Sequence, residues 1–239
     1  MNKENWILWD DKSYSPYENM AIDELLLTNI CELRKPILRI YDWNCSAMSI
    51  GYVQNYNLTI QEALENGNIT EKTCVVRRPT GGGVVYHDND LTYTVIIPKG
   101  YYIEEENRME SYNIIHKAIL KALELCNINA NLAPNESETV DRATMKCFTT
   151  PTKYDVLCES RKFSGSAQRR TKNGILHQGS ISLEASDGNT QLLKDNLKIA
   201  FKKTFNIECE IFNLSENFIE SKNQLVESKY QTDEWNQRK

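Results

Sequence analysis

The stretch Arg77-Arg78-Pro79-Thr80-Gly81-Gly82-Gly83-Val84-Val85-Tyr86-His87-Asp88 decides the fold. It joins an apolar run that ends in two arginines to a Val-Val-Tyr run, which predicts a glycine turn between two strands. Consecutive glycines allow the backbone to come close to a ligand. A second segment, Lys162-Phe163-Ser164-Gly165-Ser166-Ala167-Gln168-Arg169-Arg170, is followed shortly by His177-Gln178-Gly179. The two segments predict one pocket for an extended ligand with an anionic or polar head. The alternative is that the glycine turn only reverses the chain.

Composition excludes several classes of protein. The 239 residues are 40% hydrophobic and 26% charged, with a formal net charge of −5, which disfavours a general nucleic-acid binder. No apolar run approaches the roughly 20 residues that span a bilayer. The segment Met1–Trp6 lacks the apolar core of a signal peptide and is followed by Asp10 and Asp11. We therefore expect a cytoplasmic protein without membrane association.

The cysteines predict neither a disulfide framework nor a metal site. Their number is odd, they are scattered, and no CxxC spacing occurs among them. Most lie in apolar stretches and are expected to be small core residues. The seven are Cys31, Cys45, Cys74, Cys126, Cys147, Cys158 and Cys209.

Strands and helices alternate along the chain, which predicts an α+β fold. Ser15-Pro16-Tyr17-Glu18 combines a capping box with proline at the first helical position and predicts a helix over 16–30. Apolar periodicity predicts a second helix over 109–126. A further helix is predicted from a capping pattern at Thr59–Glu62 to Gly67, and a last one over 188–205. Strands are expected near 6–9, 37–42, 47–52, 74–78, 83–87, 91–97, 154–159, 161–168 and 174–183. Residues 127–146 are predicted to form a long loop. We expect one domain over 1–213 and a polar tail over 214–239.

Three further motifs carry a resemblance to a known family. Together with the two pocket segments, Asn19–Glu24, Leu38–Trp43 and Ser49–Gln54 resemble the lipoate–protein ligase and octanoyltransferase family. That family shares its catalytic domain with biotin–protein ligases. The resemblance covers roughly residues 5 to 210, in the expected order. It implies a mixed, largely antiparallel sheet flanked by helices.

Cys147 helps to distinguish the two branches of this family, the ATP-dependent ligases and the cysteine-dependent transferases. Ligases activate free lipoate with ATP as an acyl-adenylate, whereas cysteine-dependent transferases move octanoyl through a thioester and use no nucleotide. Cys147-Phe148, placed ahead of Lys162, is similar to the arrangement in Gram-positive octanoyltransferases. The resemblance therefore implies an octanoyl-[acyl carrier protein]:protein N-octanoyltransferase that needs no cofactor or metal. Two alternatives stay open. One is an ATP-dependent lipoate–protein ligase that uses ATP and Mg and acts through lipoyl-AMP, and the other is a non-catalytic paralogue that binds lipoyl domains.

The same resemblance implies roles for individual residues. Cys147 and Lys162 are the expected catalytic pair: the Lys162 ammonium favours the thiolate, or it fixes the acyl carbonyl or the acceptor. Backbone amides near Gly165 would hold the oxyanion. His87 and His177 are each either a general base or a hydrogen-bonded structural histidine, and His116 is expected to be structural. The expected substrate-binding residues are Arg78, Thr80, Gly81, Gly82, Gly83, His87, Gly165, Ser166, Ala167, His177 and Gly179.

Basic residues near the pocket predict a surface that attracts acidic protein partners. They are Arg77, Arg78, Lys146, Lys153, Arg161, Lys162, Arg169, Arg170 and Lys172. The resemblance implies octanoyl–acyl carrier protein as donor. It implies lipoyl domains or the glycine-cleavage H protein as acceptor, with the H protein placed first. We expect a monomer.

Overall fold

The computed structural model describes residues 3–134, 153–186 and 188–238, without the side chains of 185 and 186. The strands are β1 (Glu4–Tyr14), β2 (Ile37–Trp43), β3 (Ala47–Ile50), β4 (Cys74–Arg77), β5 (Val85–Tyr86), β6 (Asp90–Pro98), β7 (Asn131–Leu132), β8 (Val156–Cys158), β9 (Arg161–Thr171), β10 (Gly174–Ser182) and β11 (Ile207–Ile211). The helices are α1 (Pro16–Leu33), α2 (Tyr56–Glu65), α3 (Tyr102–Glu105), α4 (Arg108–Leu125), α5 (Thr190–Phe205), α6 (Glu216–Leu225) and α7 (Asp233–Asn236).

Two sheets organise these elements. The larger has the order β11-β1-β2-β6-β10-β9-β8-β7, and the smaller has the order β4-β3-β5. In the larger sheet, β1 pairs in parallel with β2 and β11, and the remaining pairs are antiparallel. The predicted α+β class, with a mixed and largely antiparallel sheet, is confirmed. Helices α4 and α5 pack against each other, and their buried side chains share one core with those of the large sheet.

Local sequence explains the first helix. The Ser15 side chain accepts a hydrogen bond from the Glu18 backbone N–H, and the Glu18 carboxylate accepts one from the Ser15 backbone N–H. Both halves of the predicted capping box are therefore formed. Helix α1 buries Met20, Ala21 and Asp23 against the sheet, so a charged residue of the helix faces the interior.

Other elements differ from the sequence prediction. Helix α2 begins at Tyr56 and not at Thr59, because Asn55 supplies the N-cap by accepting from the Leu58 N–H. Helix α3, the edge strand β11 and the short strand β7 were not predicted. Each is short, and β11 buries only Ile207, so its polar sequence gives a weak strand pattern.

Residues 216–236 include helices that pack against α1 and β4. Helix α6 is followed by a turn of π-helix over Val226–Tyr230 and by α7. Val226 and Tyr230 share a core cluster with Met20 of α1 and Val76 of β4. The domain boundary at 213 stays a prediction. Among the described helices, none is long and apolar enough to cross a membrane.

Candidate active site

A small cavity lies between the two sheets, beside α1. Its free volume is about 30 Å³, so an acyl chain enters only if lining side chains move. Met20, with its flexible thioether, is the lining residue best suited to do so. The lining residues are Met20, Tyr41, Trp43, Ser49, Arg78, Val85, His87, Thr92, Gly165, Ser166, Ala167, Gln178, Gly179 and Ser180. The structure thus brings together the two sequence segments that predicted one pocket.

The glycine turn lies beside the cavity, where the backbone at Gly82 comes close to the backbone at Gly51. A Cβ on Gly51 would lie 2.0 Å from the Gly82 carbonyl oxygen, and Gly82 itself has a φ of +83°. Arg78 fixes this turn because its guanidinium donates to the carbonyl oxygens of Gly81 and Gly83 at 2.7 and 2.5 Å. Arg78 is therefore buried beside the cavity with its donors directed at the turn. Gly81, by contrast, has open space around it, since a Cβ added there would meet no atom within 4 Å.

Thr80 lies next to the cavity and acts through Gln178. Its hydroxyl donates to Gln178 Oε1 at 2.7 Å, and Gln178 Nε2 donates to Asp23 Oδ2 at 2.8 Å. Asp23 in turn accepts from Arg39 Nη1 at 2.7 Å, and both side chains are fully buried. Because buried charges are stabilised when they are paired and hydrogen-bonded, this network fixes the cavity wall to α1. It explains why the Asn19–Glu24 motif belongs to the site.

His87 lines the cavity within a second polar network. Its Nδ1 lies 2.9 Å from Asp90 Oδ2 and its Nε2 lies 2.8 Å from Ser49 Oγ. Since a carboxylate only accepts, Nδ1 carries a proton and donates to Asp90 Oδ2. The ring stacks on Trp43 with 3.9 Å between centroids. His87 is thus a hydrogen-bonded histidine that also faces the ligand space.

Lys162 lies over the α-carbon of Gly165. A Cβ on Gly165 would be 2.3 Å from Lys162 Cε and 2.6 Å from its Nζ. Val156 pairs with Ser164 but Leu157 pairs with Lys162, so β9 has one extra residue at this point. That β-bulge lets Lys162 and Gly165 share a face, although they are three residues apart. The Lys162 ammonium forms an ion pair with Asp155 at 2.7 Å, and both side chains are buried.

The other two histidines lie behind the cavity wall. His116 donates from Nδ1 to the Tyr154 carbonyl oxygen and accepts at Nε2 from the Ser166 hydroxyl, each at 2.5 Å. His177 Nδ1 accepts from Gln168 Nε2 at 2.9 Å, and within the described residues its Nε2 has no partner. Burial lowers the pKa of His116, and burial together with the nearby His116 lowers the pKa of His177 well below its usual value. Both rings are neutral, and His177 does not line the cavity.

The prediction of a basic surface is wrong for three of its nine residues. Arg77 is fully buried, and its guanidinium donates to the backbone carbonyls of Gly51 and Asn236 at 2.9 and 2.8 Å. Arg78 and Lys162 are also buried, because each is used inside the site. Buried cations that are already hydrogen-bonded contribute little to steering a partner.

Cys147 lies outside the described residues. None of the six described cysteines lines the cavity. Burial and a hydrogen bond with Cys74 raise the pKa of the Cys45 thiol to about 11, and burial also raises the pKa of Cys209. Neither is therefore suited to attack a thioester as a thiolate. Across 3–134, 153–186 and 188–238 no cluster of His, Cys, Asp and Glu is arranged to hold a metal ion.

The sequence prediction missed Asp155, Asp90, Ser49 and Asp23. Asp155 stands seven residues before Lys162, a distance at which no local pattern indicates an ion pair. Asp90 follows His87 by three residues, which is a weak signal that the pair could be hydrogen-bonded. Asp23 had a stronger signal than the others, since an acidic residue on the apolar face of a predicted helix indicates a buried partner.

Comparison with known proteins identifies the family. Residues 15–224 match the family model described as lipoyl protein ligase A/B catalytic domain. This chain belongs to that family. It is 32% identical to octanoyltransferase LipM of Bacillus subtilis (strain 168), covering 99% of each chain. It is 30% identical to octanoyltransferase LipM of Staphylococcus aureus (strain NCTC 8325 / PS 47), again covering 99% of each chain.

Solved structures agree on the fold. Protein Ta0514 of T. acidophilum, described as a putative lipoate protein ligase, aligns with a TM-score of 0.79 at 22% identity, covering 98% of this chain and 99% of that one. A lipoate-protein ligase A bound with ATP aligns with a TM-score of 0.77 at 22% identity, covering 99% of each chain. The expected lipoate-ligase-like catalytic fold is confirmed.

Proposed function

We propose that this protein is an octanoyltransferase of protein lipoylation that works through a thioester on Cys147. It takes octanoyl from octanoyl–acyl carrier protein and passes it to a lysine of a lipoyl domain or the glycine-cleavage H protein. Full-length similarity to proteins named octanoyltransferase LipM is the observation that carries this proposal. Cytoplasmic location and independence of ATP and metal ions are parts of the same proposal.

The described residues supply a pocket suited to this chemistry. Met20, Trp43 and Val85 give the cavity an apolar lining for an acyl chain. Lys162 places an ammonium over the strand at Gly165, where it can donate to an acyl carbonyl. Past Ser164 the strand β9 no longer pairs with β8, and the Ser166 carbonyl oxygen instead accepts from the Tyr112 hydroxyl. The backbone of Ser166 at this edge is our candidate for an oxyanion donor.

Two acyl transfers make up the reaction. The Cys147 thiolate attacks the donor thioester, a carbon–sulfur bond forms to Cys147, the carbon–sulfur bond to the carrier breaks, and the carrier leaves as a thiolate that takes a proton from solvent. The acceptor lysine amine then attacks the Cys147 thioester, a carbon–nitrogen bond forms, and the Cys147 sulfur leaves. The nitrogen loses one proton to solvent as the amide forms, and Cys147 leaves as the thiolate, so the enzyme returns to its starting state.

Intact mass measurement tests the proposal. Incubation with octanoyl–acyl carrier protein should add one octanoyl group, which hydroxylamine removes because the bond is a thioester. Cys147→Ala should abolish the adduct, and Cys45→Ala, the matched control, should retain it. No adduct, or one that survives Cys147→Ala, contradicts the proposal. ATP-dependent modification of a lipoyl domain by free lipoate, retained in Cys147→Ala, would establish the ligase instead, and binding of a lipoyl domain without any transfer would establish the paralogue.

A further inference from the structure

A groove adjoins the cavity on the side of Asp90. One wall carries Asp88, Asn89 and Asp90, and the other carries Arg161 and Lys162. Its volume is about 630 Å³, which is ample for one extended side chain. The groove and the cavity meet at Asp90, because Asp90 Oδ2 accepts from His87 and Ser180, two residues that line the cavity.

The Asp90 carboxylate has unused capacity at this junction. Its Oδ2 accepts from His87, Thr92 and Ser180, whereas among the described residues nothing donates to its Oδ1. The side chain is only 3% exposed. Burying a carboxylate oxygen without a donor is unfavourable, so this oxygen is suited to a donor that arrives from the groove, which it meets once neighbouring side chains move.

The charges around the groove favour a cation. Lys162 is balanced by Asp155 at 2.7 Å, and Arg161 is balanced by Glu184 at 2.9 Å. Among the described residues that line the groove, Asp88 and Asp90 therefore leave an excess of negative charge. A cleft lined by one sign of charge concentrates ligands of the opposite sign.

We propose that this groove binds the alkylammonium of the acceptor lysine, with Asp90 Oδ1 as its anionic partner. A primary ammonium is compact and has three donors, which suits a single carboxylate oxygen that lacks a donor. Tyr86 and Phe163 also line the groove and offer apolar surface to the methylene stem of a lysine. The ammonium is then held at the entrance of the acyl cavity, where it loses one proton to solvent and attacks the thioester as the neutral amine. This inference rests on the proposed function, because it assigns the acceptor site of the second transfer.

Aminolysis of the isolated octanoyl-enzyme tests the site without a partner protein. The probes are butylamine, which is an ammonium at neutral pH, and hydroxylamine, which is mostly uncharged there. In Asp90→Asn the reaction with butylamine should fall about tenfold or more, since a charged hydrogen bond is lost. The reaction with hydroxylamine, which brings no cation to Asp90, should fall clearly less, so the readout is the ratio of the two rates. Glu65→Gln removes one carboxylate on α2, far along the chain from the groove residues, and should affect neither reaction.

An equal fall with both probes would show that Asp90 only supports the fold, and no fall with butylamine would show that it does not bind the ammonium. Either result overturns the inference.

A second measurement needs no altered residue, in case Asp90→Asn does not fold. N,N-dimethylbutylamine carries the same charge but cannot form a stable amide. It should compete with butylamine for the wild-type octanoyl-enzyme and leave the hydroxylamine reaction unaffected. Failure to compete contradicts the site. If no octanoyl-enzyme forms, the proposed function fails and the acceptor site fails with it. If the octanoyl-enzyme forms but neither measurement affects the butylamine reaction more than the hydroxylamine reaction, only the acceptor site is contradicted.

Discussion

Lys162 and Asp155 form a buried ion pair, 2.7 Å from Nζ to Oδ2, directly over the α-carbon of Gly165. The carboxylate offsets the charge of the ammonium, so the field of the pair falls off faster with distance than that of a lone cation. Lowering the pKa of a cysteine requires that field, whereas donating a hydrogen bond to an acyl carbonyl does not. The geometry therefore favours the second of the two roles that the sequence leaves open for Lys162.

Lys162→Ala distinguishes these roles. We expect iodoacetamide to label Cys147 with nearly the wild-type dependence on pH, while formation of the octanoyl-enzyme is slow and stays slow at high pH. Removing one partner of a buried pair also costs about 3–5 kcal/mol of stability, which urea unfolding would measure. Lys172→Ala, an exposed lysine on the turn that follows β9, is the control and should change neither readout. A labelling curve displaced to higher pH, with recovery of acylation there, would instead assign Lys162 to thiolate formation.

Glycines of the site are expected to differ in their tolerance of alanine. Gly179→Ala places a Cβ 2.2 Å from Tyr93 Cζ, and Tyr93 is fully buried, so we expect a loss of stability of about 1–3 kcal/mol. Gly165→Ala meets the end of the Lys162 side chain, which can move, so acylation should suffer more than stability. Gly81→Ala meets nothing within 4 Å and is the control for stability. Thermal unfolding together with the rate of octanoyl-enzyme formation measures both effects. Equal behaviour of Gly165→Ala and Gly81→Ala would contradict this account of the Lys162 position.

Local sequence predicted the elements whose cause is local. The capping box at Ser15 and Glu18 and the apolar periodicity of α4 each act within one helix, and both were found where expected. The pairing of the two pocket segments was also predictable, because the family resemblance places them together. The partners of the buried charges were not, since they depend on sheet register.

Lys162 illustrates that limit. It reaches Asp155 and Gly165 only because β9 has an extra residue opposite β8, and no sequence pattern indicates this bulge. Arg77 is a similar case: its partner Asn236 lies 159 residues away along the chain. An arginine beside a glycine turn was therefore interpreted as a surface cation, and the structure shows that it is buried.

Stability should fall as the pH is lowered from about 6.5 to 5. His116 and His177 have pKa values below the ordinary 6.5 in the folded protein, chiefly because burial disfavours their charged forms. In the unfolded chain both histidines bind protons in this range. Protonation therefore stabilises the unfolded state relative to the folded state. Each histidine lowers the free energy of unfolding by up to about 1.4 kcal/mol per pH unit below pH 6.5, and has no such effect above that pH.

Urea unfolding at intervals between pH 5 and 7.5 measures this slope. His177→Phe removes one of the two groups and should flatten the dependence by about half. The comparison within each variant is across pH, so a uniform loss of stability from the altered packing does not affect it. Slopes that are the same in the wild type and in His177→Phe would show that His177 is protonated in the folded protein.

The C-terminal residues are expected to stabilise the region around the glycine turn. Asn236 Oδ1 accepts from the Arg77 backbone N–H at 2.8 Å, and its Nδ2 donates to the Tyr230 carbonyl oxygen at 2.7 Å. Asn236→Ala leaves both of these buried backbone groups without their side-chain partner, which costs on the order of 2–4 kcal/mol. Gln237→Ala alters the adjacent exposed residue and should change stability by less than about 0.5 kcal/mol.

Arg77 also holds the Gly51 carbonyl, and Gly51 contacts Gly82, so we expect octanoyl-enzyme formation to slow in Asn236→Ala as well. Urea unfolding and acylation rates of the two variants check this. If Asn236→Ala matches Gln237→Ala in both measurements, the tail does not support the glycine turn.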